Sequence, residues 1–467
     1  MSESTEAASP EFRGRLVEGD YEGRNYKPGT VFHYGLYVPF EYDGATPAAL
    51  LIGQDGINES QIRVMDRLIP EKAMPVCIAL FIAPGVLKPT RPDGAERGMR
   101  AEEYDQVGRG YPDFLAGEIV PWIAQKEHLN LSDSPDMHMI SGGSSGGICA
   151  WNAAWFRNDF FRRAFLSSPS FIAFRGGEEL MTLARKSETR PIRAYMTVGT
   201  DEPNQYAGNS YLVALSAKSA MEYAGYNFAF ERFEGGEHCH GRNDFDVQER
   251  VFRYLWADWN TKPVMPCRNP PRIEAMFDLG SRWTQTDEPM PVKTAATTEA
   301  GAFSFTGGRI FLTTPDGVKK AVAEDFQEIT AIAVSTDRWR LYIADRARRY
   351  VFAMSIGPDG SLKDRYILAP LHLAPDCRTI GAMDLCVDIQ DRVYAATELG
   401  IQGIVSFGIN DSIVPLPGDL PVERLAFGGG AGDVMYARSG GRVFKRQWKV
   451  RGHQPSDPPT APSTPGY

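Results

Sequence analysis

The stretch Met137-His-Met-Ile-Ser-Gly-Gly-Ser-Ser-Gly-Gly-Ile-Cys-Ala-Trp151 decides the fold class of this chain. A short apolar run ends at Ile140, glycines and serines follow at once, and a helix-compatible run begins after them. This order predicts a strand, a tight turn and a helix, with a hydroxyl group at the apex of the turn. It fits the G-x-S-x-G elbow, in which the serine lies on a strained turn and its near neighbours must be very small.

Two registers of this stretch satisfy the motif, one with Ser144 at the apex and one with Ser145. We favour Ser144, because Ile140 then ends the strand four residues earlier and Gly147 remains for close packing of the helix on the sheet. A motif this short can also be a Gly/Ser-rich turn without chemistry, so partner residues have to be found elsewhere in the chain.

Composition excludes several classes of protein. The 467 residues favour two domains or more, and the net charge of −9 comes from interspersed acidic and basic residues, so we expect no nucleic-acid or membrane partner. We expect no signal peptide, and the longest apolar run, residues 74–87, contains two prolines and is too short to span a membrane. Six cysteines without C-x-x-C spacing predict reduced thiols in a cytoplasmic protein.

Strands and helices alternate through the first 259 residues. Continuous apolar runs at residues 48–53 and 76–83 predict strands that are covered on both faces. Further strands are predicted at residues 31–39, 137–140, 164–168, 193–198 and 227–233, and helices at 59–68, 113–128, 145–156, 177–186, 210–224 and 247–259. This order predicts a mostly parallel α/β sheet with helices on both faces.

The second part of the chain shows only short strands. Units of roughly 40 to 50 residues begin near residues 302, 329, 383 and 424, which is typical of propeller blades. We therefore predict an all-β, partial propeller-like domain after the hydrolase. The predicted division is a flexible N-terminal arm (1–26), the α/β hydrolase domain (27–262), a Pro-rich linker (263–298), a degenerate β-propeller-like domain (299–451) and a disordered Pro-rich tail (452–467).

An elbow serine needs an acid and a histidine after later strands, in that order. Asp201 and Glu202 follow one predicted strand, and His238 and His240 follow the last one. The histidine would take the serine proton, and the carboxylate would hold the imidazole in the required tautomer. The residues alone leave the acid open, and we prefer His238 because it follows the glycine turn more closely.

Other readings of these residues exist. The acidic pair can be a solvated turn, and His238-Cys239-His240 can suggest a metal site, although H-x-H alone supplies few ligands. In the hydrolase reading, the N–H of Ser145 is the first donor to the oxyanion. The second donor should come from the loop at residues 54–57, around Gly56 and Ile57.

Residues 26–259 resemble the enterochelin-esterase-like, or esterase-D-like, branch of the α/β hydrolases. The segments that carry this resemblance are Tyr26-Lys-Pro-Gly-Thr-Val31, Leu36-Tyr-Val-Pro-Phe-Glu-Tyr-Asp43, Gln54-Asp-Gly56, Arg100-Ala-Glu-Glu-Tyr-Asp105, Ser141-Gly-Gly-Ser-Ser-Gly-Gly-Ile-Cys-Ala150 and Tyr254-Leu-Trp-Ala-Asp-Trp259. The resemblance implies the triad Ser144, Glu202 and His238, since the family places Asn where this chain has Asp201. It also implies that Ile57 supplies the second oxyanion N–H.

Three residues near this site are candidates for substrate binding. Gln54 lies in the oxyanion loop, and Arg100 and Arg175 lie in loops that should line the pocket. Either arginine could hold an acidic group of a substrate, but each can equally be a solvated or structural residue.

The C-terminal part resembles the gluconolactonase/regucalcin-like propeller, through Gly381-Ala-Met-Asp-Leu-Cys-Val-Asp388 and Arg424-Leu-Ala-Phe-Gly-Gly-Gly430. Two departures stand out. The metal-binding Pro-Asn-Gly of the family is Ile329-Thr330-Ala331 here, and its ligand aspartate falls on Met383. A hard cation needs several oxygen ligands, so we expect a shortened propeller without lactonase activity.

The sequence therefore predicts a serine hydrolase that cleaves a small-molecule carboxylic ester or lactone, without a metal or organic cofactor. The alternatives are acyl transfer or C–C bond hydrolysis on the same elbow, and a binding or assembly protein whose site has decayed. Because an incomplete propeller would expose strand edges, we also expect a homodimer through the β domain, with a closed small ring or a packed edge as the alternatives.

Overall fold

The computed structural model describes residues 12–293, 295–373 and 377–462. The chain forms two compact units: the N-terminal unit comprises Met1–Arg185 and Thr189–Arg268, and the C-terminal unit comprises Lys186–Glu188 and Asn269–Tyr467. The predicted division places residues 263–298 in a linker. Most of the stretch expected to be a linker, from residue 269 onward, belongs to the C-terminal unit.

The N-terminal unit is an α/β structure. Its strands are β1 (Arg15–Glu22), β2 (Thr30–Val38), β3 (Ala49–Gln54), β4 (Cys77–Ile82), β5 (Val86–Leu87), β6 (Arg97–Gly98), β7 (His138–Gly143), β8 (Arg163–Ser167), β9 (Arg193–Asp201), β10 (Asn204–Gln205), β11 (Gly208–Asn209) and β12 (Asn227–Glu237). Its helices are α1 (Glu59–Leu68), α2 (Arg100–Tyr104), α3 (Gly110–Phe114), α4 (Val120–Lys126), α5 (Ser145–Phe156), α6 (Glu179–Lys186), α7 (Ser210–Ala224) and α8 (Phe245–Leu255).

One ten-stranded sheet organises this unit. Its order is β12-β9-β8-β7-β3-β4-β2-β5-β6, with β1 paired to β2. The strands from β12 to β4 are parallel, whereas β1, β2, β5 and β6 pair antiparallel. Every residue of β3, β4, β7 and β8 is buried, as continuous apolar strands covered on both faces require. The predicted α/β hydrolase class is confirmed.

Helices cover both faces of the sheet. On one face α1 and α8 bury an apolar side, including Val64, Leu68 and Phe252, against Phe165 of β8. The Asn58 side chain caps α1 by accepting from the N–H of Gln61, which is why this helix begins where the sequence predicts. Helix α5 is buried along its whole length, because it follows the central strand directly.

Two predictions for this unit differ from the structure. The arm expected to be poorly ordered contains β1, which pairs with β2 over eight residues from Arg15 to Glu22. The helix predicted over residues 113–128 is divided into α3, a π-helical turn at Leu115–Ile119, and α4. Pro121 explains the division, since it has no N–H to donate to the preceding turn.

The C-terminal unit is almost entirely β structure. Besides α9 (Pro271–Glu274), it contains β13 (Thr284–Thr286), β14 (Ala296–Thr298), β15 (Gly301–Thr306), β16 (Arg309–Thr313), β17 (Lys319–Ala323), β18 (Ile329–Val334), β19 (Arg340–Asp345), β20 (Tyr350–Ile356), β21 (Leu362–Pro370), β22 (Asp384–Val387), β23 (Val393–Thr397), β24 (Gly400–Val405), β25 (Ile409–Val414), β26 (Arg424–Gly428), β27 (Val434–Ser439) and β28 (Arg442–Gln447).

These strands form four antiparallel sheets of four strands, in the arrangement of a four-bladed propeller. Three sheets are built from consecutive strands, β14–β17, β18–β21 and β22–β25. The fourth has the order β13-β28-β27-β26, so a strand from the beginning of the unit completes the sheet formed by its end. This pairing joins the first and last parts of the ring, which is the closed small ring among the alternatives predicted.

A cavity of about 110 Å³ lies where the inner strands of the four sheets meet. Apolar residues of β14, β18, β22 and β26 form its walls, and Lys293 and His453 contribute polar groups. The Lys293 amino group donates to the carbonyl of Leu385 at 2.6 Å and pairs with the Asp384 carboxylate. Met383, the residue aligned with the aspartate ligand of the lactonases, packs instead against the apolar core.

The described part of the C-terminal tail is bonded to the propeller, in contrast to the disorder predicted for residues 452–467. The N–H of His453 donates to the Val387 carbonyl at 2.9 Å, and that of Thr460 to the Thr336 carbonyl at 3.0 Å. Residues 463–467 of this prediction lie outside the described residues. Within the described chain, no helix is both long and apolar enough to cross a lipid bilayer.

Candidate active site

The elbow between β7 and α5 has Ser144 at its apex. Ser144 adopts φ 56° and ψ −121°, a strained conformation for a residue with a side chain. A Cβ atom on Gly142 would lie 2.2 Å from the carbonyl oxygen of Gly146, so Gly142 must be glycine, and a Cβ atom on Gly146 would make a tight contact of 3.0 Å with Asp55 Oδ2. They stand two residues before and two residues after Ser144, which is the spacing expected for the Ser144 register.

The Ser144 hydroxyl lies beside a second serine. Its Oγ is 3.2 Å from the Oγ of Ser170, whose N–H also donates to the Ser144 carbonyl at 3.1 Å. Among the residues that the structure describes, no hydrogen bond joins Ser144 to His238. A hydrogen bond between nucleophile and base often forms only when a substrate is bound, so His238 stays a candidate for the general base.

Glu202 is a buried carboxylate at the end of β9. Its side chain is inaccessible to solvent, and it accepts hydrogen bonds from the Ser168 hydroxyl and from the N–H of Gly199 at 3.4 Å. It also contacts Nδ1 of His238. Burial opposes ionisation of Glu202, but the hydrogen bonds from His238 and Ser168 outweigh it and hold the pKa below its usual value.

His238 follows β12, which runs next to β9. The loops after these strands approach closely, since a Cβ atom on Gly199 would lie 2.0 Å from the carbonyl oxygen of Gly236. Hydrogen bonds to Cys239 and to Glu202 raise the pKa of His238. A carboxylate bonded to Nδ1 fixes the ring orientation and leaves Nε2 for other contacts.

The rival residues are placed differently. Asp201 is exposed at the last position of β9, and its carboxylate lies near the hydroxyl of Thr200. The ring of His240 packs against Phe233, with 4.9 Å between the ring centroids. Of the four acid and histidine candidates, Glu202 and His238 are the two that the structure brings into contact.

The oxyanion loop, residues 54–57 at the end of β3, differs in part from the prediction. The N–H of Gly56 donates to the carbonyl of Ile82 at 3.1 Å and is therefore committed elsewhere. Ile57 packs its side chain against Gly35 of β2. Ser145 is the first residue of α5, so its N–H has no partner within the helix and stays a candidate donor. Its hydroxyl is hydrogen-bonded to the buried Asp105.

The three candidate substrate-binding residues have different surroundings. Gln54 is buried, and its Oε1 accepts from the Tyr111 hydroxyl at 3.0 Å, so its side chain faces the interior rather than a substrate. Arg100 makes a two-point contact with Asp55, from Nε at 2.7 Å and from Nη2 at 3.1 Å. Arg175 is exposed, and its charge offsets part of the effect of burial, which raises the pKa of Asp105.

Sequence reasoning missed several residues of this site. The Ser168 hydroxyl donates to Glu202 and accepts from the N–H of Cys239 at 2.9 Å, so it bridges the two residues. Arg242 donates to the Gln54 carbonyl and to Asp55. The signal for Ser168 was its place directly after a parallel strand, where the site residues of this fold collect; Arg242 had only its nearness to His238 in the chain.

The described residues contain no cluster of three or more His, Cys, Asp and Glu side chains that could hold a metal ion. The structure describes all six cysteines, and none of them forms a disulfide bond. The polar groups around Ser144 are instead hydroxyl, carboxylate, imidazole and backbone N–H groups, the set used for acyl transfer through a serine.

A mostly parallel sheet with a strained serine elbow, followed by an acid and a histidine after later strands, defines the class of α/β hydrolases. The sequence matches the model of the family described as "Putative esterase" over residues 27–299, more than half of the chain. The chain belongs to this family, and its enzyme class is that of the carboxylic ester hydrolases.

Solved structures of esterases are similar to this chain. Enterochelin esterase from Shigella flexneri is 17% identical, with 53% of this chain and 59% of that chain covered and a TM-score of 0.41. The siderophore hydrolase EstB from Aspergillus nidulans is 15% identical, with 55% and 98% covered and a TM-score of 0.40. A structure described as a putative gluconolactonase is 18% identical, with 32% and 49% covered and a TM-score of 0.28. No curated protein matches the sequence.

Proposed function

We propose that this protein hydrolyses a small-molecule carboxylic ester or lactone through an acyl-enzyme intermediate on Ser144. In this proposal His238 is the general base, and Glu202 is the carboxylate that orients and stabilises it. The observation that carries the proposal is the contact of the buried Glu202 carboxylate with Nδ1 of His238, beside an elbow that holds Ser144 at a positive φ. A single buried carboxylate on one imidazole nitrogen is the arrangement a triad needs.

In this mechanism, Ser144 Oγ attacks the ester carbonyl while His238 takes its proton. Glu202 stabilises the imidazolium that forms, and the imidazolium then protonates the leaving alcohol. The N–H groups of Ser145 and Ile57 would donate to the oxyanion. Water then releases the acid by the same steps. Acyl transfer or C–C bond hydrolysis would use the same residues with another acceptor or another scissile bond.

The test combines a reactive probe with two serine variants. A fluorophosphonate probe should label Ser144, and Ser144→Ala should lose labelling and lower kcat by on the order of 10⁴-fold or more, because triad members act as a unit. Ser145→Ala is the matched control, because it removes a hydroxyl one residue away and keeps the backbone N–H. A reversal of the two effects would move the nucleophile to Ser145. A panel of acyl sugars, aryl esters and lactones would identify the substrate class.

Three further proposals concern the whole protein. First, the propeller takes no part in catalysis. The Lys293 amino group supports this proposal, because it pairs with the Asp384 carboxylate at the axis of the propeller and so gives that carboxylate a positively charged partner. The six cysteines, none of which forms a disulfide bond, favour a cytoplasmic location. The homodimer expected from the sequence predicts a mass near twice 51.7 kDa in light scattering. The closed ring weakens the reason for it, and a mass that stays at one chain at high concentration would contradict it.

A further inference from the structure

Asp55 is the residue of the oxyanion loop that carries the most polar contacts. It has φ 68°, a left-handed conformation that needs support in a residue with a side chain. Its N–H donates to the Tyr104 hydroxyl at 3.1 Å. A Cβ atom on Gly146 would lie 3.0 Å from Asp55 Oδ2, so the carboxylate lies directly against the first turn of α5, behind Ser144.

Two arginines from different segments share this carboxylate. Arg100, the first residue of α2, makes the two-point contact described above. Arg242 lies in the histidine loop, defined here as residues 238–244, and its Nη2 reaches Asp55 Oδ2 at 3.3 Å and the Gln54 carbonyl at 3.1 Å. The guanidinium of Arg242 therefore joins the loop that carries His238 to the loop that carries Ile57, the second candidate donor to the oxyanion.

Arg242 is also packed against the elbow. A Cβ atom on Gly143, the residue before Ser144, would lie 2.8 Å from Cδ of Arg242 and 3.1 Å from Sγ of Cys239. The Arg242 carbonyl accepts from Gln248 Nε2 at 2.5 Å, which anchors the backbone of the loop to α8. Three-quarters of the Arg242 side chain is shielded from solvent, so its contacts are weakly screened.

We infer that Arg242 is a positioning residue for the ester hydrolysis proposed above, and that it acts through Asp55. Arg242 holds the oxyanion loop and the histidine loop at a fixed separation on either side of Ser144. Donors to an oxyanion stabilise the transition state only when they are aligned in advance, and a displacement of about 1 Å can cost about 10²-fold in rate. This inference rests on the proposed function and assigns a role to a residue that the triad does not include.

Arginine suits this position because both its stem and its charged end make contacts. One guanidinium nitrogen, Nη2, donates to a carbonyl of one strand and to a carboxylate of the following turn, while the stem lies along Gly143. Lysine carries a compact and more strongly hydrated charge on a side chain of another shape, so it should recover the ion pair with Asp55 and lose part of the geometry.

The test uses Arg242→Gln, Arg242→Lys, Asp55→Asn and the double variant in the full-length chain. We expect Arg242→Gln to lower kcat for a small neutral aryl ester by about 10- to 100-fold, with KM changed less than about twofold. Arg242→Lys should recover part of the loss. Because Arg242 acts through Asp55, the double variant with Asp55→Asn should be no slower than the slower single variant.

Arg250→Gln is the matched control. Arg250 donates to Glu231 at 2.7 Å on the exposed side of α8 and makes an ion pair of the same kind away from the elbow. Its loss should leave kcat unchanged within about twofold. If Arg242→Gln behaves like Arg250→Gln, if the losses from Arg242 and Asp55 multiply independently, or if only KM changes, the inference is overturned.

A second readout separates this inference from the proposed function. The rate at which a fluorophosphonate labels Ser144 depends on the oxyanion donors but not on the choice of ester. If Arg242→Gln is labelled at least tenfold more slowly than the wild type, the inference is supported, whether or not any tested ester is cleaved. The failure to cleave any tested ester would count only against the proposed ester hydrolysis. Equal labelling rates in the wild type and Arg242→Lys, if Arg242→Gln does not fold, would overturn it.

Discussion

Glu103 is a buried acid whose replacement by glutamine should stabilise the protein in a pH-dependent way. It lies in α2, is 1% exposed, and accepts the N–H of Gly85 on Oε2 at 2.9 Å. Within the described residues, its Oε1 and the neighbouring hydroxyl of Thr30 have no hydrogen-bond partner. Burial raises the pKa of Glu103 from the ordinary 4.5 to about 7. A glutamine here reproduces the protonated acid, because its amide can accept from Gly85 and donate toward Thr30.

The sign follows from the direction of the shift. Below pH 4.5, Glu103 is protonated in both the folded and the unfolded chain, so its burial does not lower the free energy of unfolding. As the pH rises towards 7, the unfolded chain ionises first, so the stability of the wild type falls. The difference between 4.5 and 7 corresponds to about 3 kcal/mol, at about 1.4 kcal/mol for each pKa unit. Glu103→Gln should therefore match the wild type near pH 4.5 and exceed it by up to about 3 kcal/mol at pH 8.

The assay is urea unfolding from pH 4.5 to 8, with the transition of the N-terminal unit assigned by the loss of ester hydrolysis. Glu102→Gln is the matched control on the neighbouring residue. A hydrogen bond from Lys27 lowers the pKa of Glu102, so the ionised carboxylate contributes its full stabilisation above the ordinary pKa and loses it only at lower pH. Glu102→Gln should therefore be less stable than the wild type by an amount that stays nearly constant from about pH 5.5 to 8. A stability difference between Glu103→Gln and the wild type that does not vary with pH would refute the reasoning.

Three other predictions concern the triad and the ring. Glu202→Gln should lower kcat more than Asp201→Asn, because an amide cannot stabilise the imidazolium, and equal small losses would point to another carboxylate. The acid limb of kcat/KM, where activity rises with pH, should lie above the ordinary imidazole value of about 6.5, since both hydrogen bonds of His238 favour its protonated form; a limb at or below that value in a pH–rate profile would contradict this. In β13, the double variant Gln285→Pro, Thr286→Pro must remove one N–H from the pairing with β28. It should lower the melting temperature of the C-terminal unit, as measured by calorimetry. An unchanged melting temperature would mean that this strand does not hold the ring.

The order of the elements in the N-terminal unit could be predicted because its strands are buried on both faces and are therefore continuously apolar. Strand β1 could not, since it is half exposed and alternates charged residues and glycine with single buried positions such as Val17 and Tyr21. Strand β13 was hidden for a related reason. Its three polar residues lie within a Pro-rich stretch, and only their partner on the far side of the ring makes them a strand.

The placement of the candidate site residues was predictable where it depends on chain order. Ser144, Glu202 and His238 each follow a strand, and parallel strands bring their carboxyl ends to one edge of the sheet. Contacts that depend on side-chain direction were not predictable. Arg242 and Asp55 are far apart in the chain, and no local pattern distinguishes a charged residue that ties two loops from one that is solvated.

The pairing of β13 with β28 has a consequence for synthesis on the ribosome. Thr286 precedes its partner Val443 by 157 residues, the difference between the two numbers. At about 5–20 residues per second, β13 is made roughly 8–30 s before the strand it pairs with. The first three sheets can form during this delay, but the fourth cannot. The propeller is therefore completed only after β28 has been made, and until then the unpaired strand edges are exposed to chaperones and to neighbouring nascent chains.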